Sequence, residues 1–353
     1  MPIVKRSLVF AVLATVLSIA GPAAAATCPF NIPVVTIPPQ TVAGFSWGNV
    51  IRPMNDACIE KLEVDPANDD AWYAGGPNGL YMTKNGGTTW TKPVSGHVYA
   101  LVLVPGQPQL VYAGVDKKLY LSRDNGKIWT AIHTFPKRVQ SVLVVGGRLY
   151  VALAWDNHVD PSGVFVSNLG GGGMVFHAFG PGQTGLIVWT LSHDPISGMV
   201  YAGTEIFDHP KPYHPPFFRS PDNGVTWTNV AGTLPWHAID SAVRPTDGYV
   251  YALMEGLGVH GSANQGGSWQ GPQSSPGLGG VLKMDPGTPT RLYVGRQKFG
   301  TLTGGIFRST NAGLLSAAIG LDGVTIADIA LNGALTKIYA AAYGSGIYRA
   351  AIP

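Results

Sequence analysis

Charge is scarce in this chain of 353 residues: Asp, Glu, Lys and Arg make up 12% of it, and the formal net charge is only +3. No Lys/Arg-rich block occurs, so the electrostatic footprint of a nucleic-acid binder is missing and nucleic acid is not expected as a partner. Cysteine is scarcer still, with two residues. Two cysteines exclude a disulfide framework and any zinc motif built on paired cysteines. No heptad or long helical period is present, which argues against a helix bundle. Long apolar runs are missing as well. The run Leu8–Ala20 is too short to span a bilayer, and no later stretch reaches about 18 apolar residues.

What is present starts with Lys5 and Arg6, the apolar run, and then "GPAAAATC". That order is the order of a secretory signal peptide, with cleavage expected after Ala26. Residues 1–26 are thus expected to be a leader, 27–44 an extension, and 45–353 a single domain of a secreted or periplasmic protein. On an oxidising export route, Cys28 and Cys58 are expected to form one disulfide. Glycine (47) and proline (28) are abundant. With so little charge, they point to short strands and tight turns.

One eight-residue pattern recurs: "TKNGGTTW" at 83–90, "SRDNGKIW" at 122–129, "SPDNGVTW" at 220–227 and "SANQGGSW" at 262–269. Two decayed copies start at Ser167 and Ser309, and successive copies lie 39 to 53 residues apart. Such a period marks a repeat architecture. Each copy sits between an alternating apolar run and a strand that starts at Trp. The Asn-Gly or Gly-Gly at the apex supplies the positive φ of a tight turn. Ser and Asp can bond the turn's own amides while Trp covers a neighbouring sheet. The structural residues are therefore Thr83, Asn85 and Trp90; Ser122, Asp124 and Trp129; Ser220, Asp222 and Trp227; and Ser262, Asn264 and Trp269.

A second element, such as "WYAGG" at 72 and "VYAGT" at 200, occurs seven times, each time after a further apolar run. Three runs and the strand after Trp make a four-stranded antiparallel blade, so the fold class is all-β, a seven-bladed β-propeller. The seventh unit lacks its last strand. Trp47, in "FSWGNVIRP", stands where a box Trp would, so an N-terminal strand is expected to close the ring and remove two exposed edges.

The octapeptides resemble the Asp-box, or BNR repeat, S-x-D-x-G-x-x-W. The resemblance covers most of the chain after residue 45, and it implies a staple between the third and fourth strands of each blade, on the face opposite the usual active site. Within this group, sialidases are six-bladed and carry Arg-Ile-Pro, whereas Ile51-Arg52-Pro53 has the wrong order. Xyloglucanase-type enzymes use two tandem propellers, and this chain has one. Sortilin-like receptor domains and the photosystem II assembly propeller are similar in construction and are not enzymes.

Function is then expected on the other face. Aligning the first strands of the blades puts Cys58, His97, Arg138, Ile187, His237, Leu278 and Thr325 in one column, the lip of the central channel, with Trp236 adjoining. Three positions further along stand Lys61, Asp240 and Asp328. Charges near the axis must be paired or wetted, so this column reads as a water-filled channel with an ion-pair network or as a ligand contact. Long loops occupy 152–163, 203–218 and 295–305. The first two carry Trp155, Asp156, His158 and Asp160, then Glu205, Asp208, His209, Tyr213 and His214. His beside carboxylate suits acid–base work or a metal, but the spacing matches no metal motif, so no metal and no cofactor is expected.

The expected ligand-binding set is Trp155, Asp156, His158, Glu205, Asp208, His209, His214, Trp236, His237, His97 and Arg138. The leading functional reading is a monomeric, exported scaffold that binds an extracellular or periplasmic glycan or protein. The alternative is a glycoside hydrolase or lyase using Glu205, Asp208 or Asp156, with Asp160 and Glu255 as further carboxylates. That chemistry needs two carboxylates across a cleft, roughly 5–9.5 Å apart.

Overall fold

The computed structural model of the chain describes Cys28 and residues 35–154, 160–206, 217–235, 237–272, 279–299, 302–311 and 316–353. Seven antiparallel sheets stand in a ring around a central channel. Their innermost strands are Lys61–Val64, Val98–Val104, Val139–Val145, Leu186–His193, Ala238–Val243, Gly279–Met284 and Thr325–Leu331. Neighbouring inner strands touch all the way round, and the seventh meets the first. This is a seven-bladed β-propeller. Among the described residues, no helix is long and apolar enough to cross a membrane.

Five blades have four strands. Among the described residues blade five has three, and the pair Gly261–Gln270, bonded in both directions at 2.8 Å, stands at its fourth position. Pro272, two residues on, has no N–H with which to extend that ladder. Blade seven has five strands. Its three C-terminal strands are joined by Phe45–Trp47, through the pair Trp47–Ala350, and then by Gln40–Val42 on the outside. The Trp47 indole donates to the Ile319 carbonyl at 2.7 Å, locking the closing strand onto blade six. Cys28 and Cys58 form a disulfide, both buried beside Tyr343.

Blades pack on one another through the repeated second strand. Its tyrosine recurs as Tyr73, Tyr112, Tyr150, Tyr201, Tyr251, Tyr293 and Tyr339, all essentially inaccessible. Each places a large ring where two twisted sheets meet, which burial of apolar area favours at roughly 25 cal/mol per Å².

The octapeptide turns behave as local staples. In the turn from Ser220, its hydroxyl donates to Asp222 Oδ1 at 2.9 Å and accepts the Gly224 N–H at 2.8 Å. Asp222 Oδ1 accepts the Thr226 N–H at 2.8 Å, and the Trp227 indole donates to the Gly224 carbonyl at 3.0 Å. The turns from Thr83 and Ser122 repeat this pattern. Asn125, Asn223 and Gln265 take φ near +60° at the apex, followed in each case by a left-handed glycine. Trp269 differs, since its indole donates across the blade boundary to the Val230 carbonyl at 2.8 Å. In the decayed turn from Ser167, Asn168 takes the acceptor role and receives the Gly170 and Gly172 N–H groups.

The inner strands share one further feature. Six of them carry a β-bulge at the same position, where the register skips Tyr99, Gln140, Trp189, Ile239, Gly280 and Ala327. A bulge puts two residues opposite one and re-aims side chains. Here it turns both the skipped residue and its successor toward the axis.

The long segment expected as a loop in blade six is a strand pair instead. The second and third strands run Leu292–Phe299 and Leu302–Ser309, with Lys298 opposite Thr303. Pairing satisfies backbone groups that a bare loop would leave to water.

Candidate functional site

Strand direction separates the two faces. In blade four the second strand starts at Val200, paired with Ser220 of the octapeptide turn, and reaches Glu205, paired with Ile187 of the inner strand. Five steps of about 3.3 Å put the staple and Glu205 some 17 Å apart, at opposite ends of the blade. Glu205 opens onto the central channel, a cavity of about 720 Å³. All six bulge residues line that cavity, as does Glu60 at the equivalent place in blade one.

One wall of the mouth comes from blades one to three. His97 Nε2 lies 2.8 Å from Glu60 Oε2, and its ring stacks on Tyr99 with centroids 3.9 Å apart. The Arg138 guanidinium covers Tyr99 at 5.0 Å, while its Nε donates to Gln140 Oε1 at 3.1 Å. Burial raises the Tyr99 phenol above its usual pKa, against the pull of Arg138. The result is an aromatic ring with an imidazole and a guanidinium packed against it.

The opposite wall comes from blades four and five. Glu205, His237 and Glu255 each offer a donor atom, and these atoms all lie within 4.8 Å of one another. Glu205 is 5% exposed and His237 9%, while Glu255 is half-buried where it meets the cavity. The Trp189 indole donates to Glu205 Oε2 at 2.6 Å. Burial, reinforced by the charge of Glu255, pushes the Glu205 carboxyl up to about 7, although Trp189 and Arg138 pull the other way. Burial depresses the His237 imidazole to about 4, so at neutral pH it is uncharged and able to donate a lone pair. The Glu255 N–H donates to the His237 carbonyl at 3.0 Å, tying the two residues together on one blade.

Deeper in the channel, charges from the consecutive blades five, six, seven and one converge. Asp240 Oδ2 accepts the Leu282 N–H at 2.7 Å, and Asp328 Oδ2 accepts the Leu62 N–H at 2.9 Å. Both bonds cross to the next blade. Lys61, Glu63 and Lys283 share this level of the cavity. Burial opposes the Lys283 charge, but Glu63, Asp328 and Asp240 outweigh it and raise its pKa. Glu63 must share that ammonium with the two aspartates, and burial lifts its carboxyl to about 7. This level is a cluster of opposite charges that act on one another through the channel, and its two aspartates stitch neighbouring blades together.

Of the residues singled out from sequence, the fold brings His97, Arg138 and Ile187 to the mouth and Lys61, Asp240 and Asp328 to the level below. His237 joins Glu205. Cys58 is absorbed in the disulfide, and Glu60 faces the cavity for blade one. Trp155, Asp156, His158, Asp208, His209, Tyr213, His214, Trp236 and Leu278 lie outside the described residues. Sequence reasoning missed Tyr99, Trp189, Gln140, Glu60, Glu63 and Lys283, and it did not group Glu255 with His237. For Glu60, Tyr99, Gln140 and Trp189 the signal was their place two residues beyond a lip position, which a regular alternation would have put on the same side.

No family model matches the sequence, and no curated protein does either. Solved structures share the fold. The structure described as YCF48 bound to D1 peptide superposes with a TM-score of 0.62 at 14% identity, covering 91% of this chain and 99% of that one. An ancestral GH74 enzyme gives 0.68 at 17% identity over 87% of this chain, but this chain spans only 46% of it. The extracellular domain of the one-component system BT4673 from B. thetaiotaomicron gives 0.64 at 14% identity, with 86% and 39% covered. At these identities the likeness is one of fold, the seven-bladed propeller. These propellers differ widely in what surrounds that fold.

Proposed function

We propose that this protein is an exported Asp-box propeller that binds a glycan at the mouth of its central channel and does not turn it over. The observation behind this reading is the composition of the mouth, where Tyr99 and Trp189 stand among Glu60, Arg138, Gln140 and Glu255 around one open cavity. Aromatic faces beside paired hydrogen-bonding side chains suit the alternating apolar and hydroxyl faces of a sugar. The second strands of blades three and four end at Leu153 and Ile206, and Asp156, His158, Asp208 and His209, which follow them in sequence, are proposed as further ligand contacts. The structure described as an ancestral GH74 enzyme shares the fold, and the YCF48 structure is a propeller of matching length with a bound peptide.

A hydrolase is the second reading, favoured by the proximity of Glu205 and Glu255. Binding is preferred because Glu205 and Glu255 stand side by side on one wall of the mouth rather than facing each other across it, as a glycosidic bond held between them would require. A screen of the purified protein against polysaccharides, scoring retention and product release together, tests this. Retention without product, weakened at least tenfold in Tyr99→Ala, is the expected result. Product formation that disappears in Glu255→Gln would establish the hydrolase, and retention of peptides alone would replace the glycan.

A further inference from the structure

We infer that Glu205, His237 and Glu255 form a binding site for one divalent first-row transition-metal ion, of the zinc, cobalt or manganese kind, at the channel mouth. The inference stands apart from the identity of any larger ligand.

Three different residues on two blades converge here, with one donor atom from each within 4.8 Å of the others. A tetrahedral ion with bonds of about 2.0–2.2 Å holds its ligand atoms about 3.4 Å apart, so the trio needs only side-chain adjustment to close on it. Two of the three are fixed by backbone. His237 directly precedes the inner strand of blade five, Glu255 directly follows its partner strand, and the Glu255 N–H to His237 carbonyl bond sets their spacing. The third, Glu205, is the penultimate residue of the second strand of blade four and is oriented by the Trp189 indole. A group that orients a ligating carboxylate in this way is typical of the shell around a metal.

Charge supplies an independent reason. Two carboxylates this close repel, the more so because burial of Glu205 lowers the dielectric around it. A doubly charged cation neutralises both at once. The donor set narrows the choice of ion. Both cysteines are joined to each other, so no thiolate is offered and Cu(I) is disfavoured. An imidazole among the ligands disfavours Mg²⁺ and Ca²⁺, which take oxygen. Glu205 and Glu255 also line the cavity, so the remaining coordination positions of the ion would face it.

The test uses untagged full-length protein stripped with EDTA and titrated with Zn²⁺, Mn²⁺ and Co²⁺ by calorimetry. Co²⁺ is also followed by its visible absorption, which reports coordination directly. The expected result is one ion per chain, a higher melting temperature with metal, and at least tenfold weaker binding in Glu255→Gln and in His237→Gln. Asp247→Asn, a surface control paired with Arg244, should bind as the wild type does. Failure of all three ions to bind at one per chain would overturn the site. So would unchanged affinity in Glu255→Gln when that variant melts like the wild type without metal. If Glu255→Gln raises the metal-free melting temperature and no ion binds, the pair is held together by a shared proton, which also overturns it.

Discussion

Trp227 shows how a side chain that looks functional can be purely structural. Its indole closes the turn on the Gly224 carbonyl, and its ring meets Phe179 edge-on at 5.2 Å. Because Trp227 keeps part of its surface in water, Trp227→Ala should cost about 2–3 kcal/mol, below the 3–5 kcal/mol of a fully buried aromatic. Urea unfolding measures that loss, and ligand retention by the remaining folded protein should not change. Glu63 carries the pH dependence. Unfolded, it releases its proton near 4.5, and folded near 7. Between those values the folded chain holds a proton that the unfolded chain lacks, so stability falls as pH rises from 4.5 to 7. Glu63→Gln removes this contribution. Its urea midpoint should match the wild type at pH 4 and exceed it at pH 8, by less than the about 3 kcal/mol of a dry site, since channel water reaches Glu63. A variant less stable than the wild type at pH 8 would contradict the assignment.

At the scale of the element, the blade is the unit the sequence spells out, because turn chemistry and apolar alternation are local and repeat. Staple residues such as Ser122, Asp124 and Trp129 were legible for that reason. The site was only half legible. His97, Arg138 and His237 could be placed by counting along strands, Glu205 was expected in the loop 203–218 and stands instead in the strand Val200–Ile206, and Lys61, Asp240 and Asp328 could be aligned without an account of why positions of opposite parity face the same way. The bulge at Tyr99, Gln140, Trp189 and their equivalents supplies that account, and no residue type announces it. The grouping of Glu205 with Glu255 depends on the distance between two blades, which no local pattern encodes. Asp328 tests the stitching between blades, because its carboxylate receives the Leu62 N–H of blade one. Asp328→Ala leaves that donor unpaired and should cost about 1–3 kcal/mol in chemical denaturation. A neutral outcome would mean that water replaces the bond.

At the scale of the molecule, stability depends on closure. Phe45–Trp47 and Gln40–Val42 supply the outer strands of blade seven, and Ile51 pairs with Ile347 beside them. Deleting residues 27–53 should expose strand edges on blade seven and give insoluble protein; a soluble truncation with one cooperative melting transition would show that closure is dispensable. Closure also sets the timing of folding. The hydrogen bond from Trp47 to Ile319 joins residues 272 apart in sequence. A ribosome therefore releases the first strand of the last blade long before it releases that strand's partners. Six blades can collapse in order as they emerge, whereas Phe45–Trp47, with only its neighbour Gln40–Val42 to pair with, must wait for blade seven through nearly the whole synthesis. Ring closure is then a slow, late step, and a chaperone that shields residues 40–47 during that interval should raise the yield of folded protein.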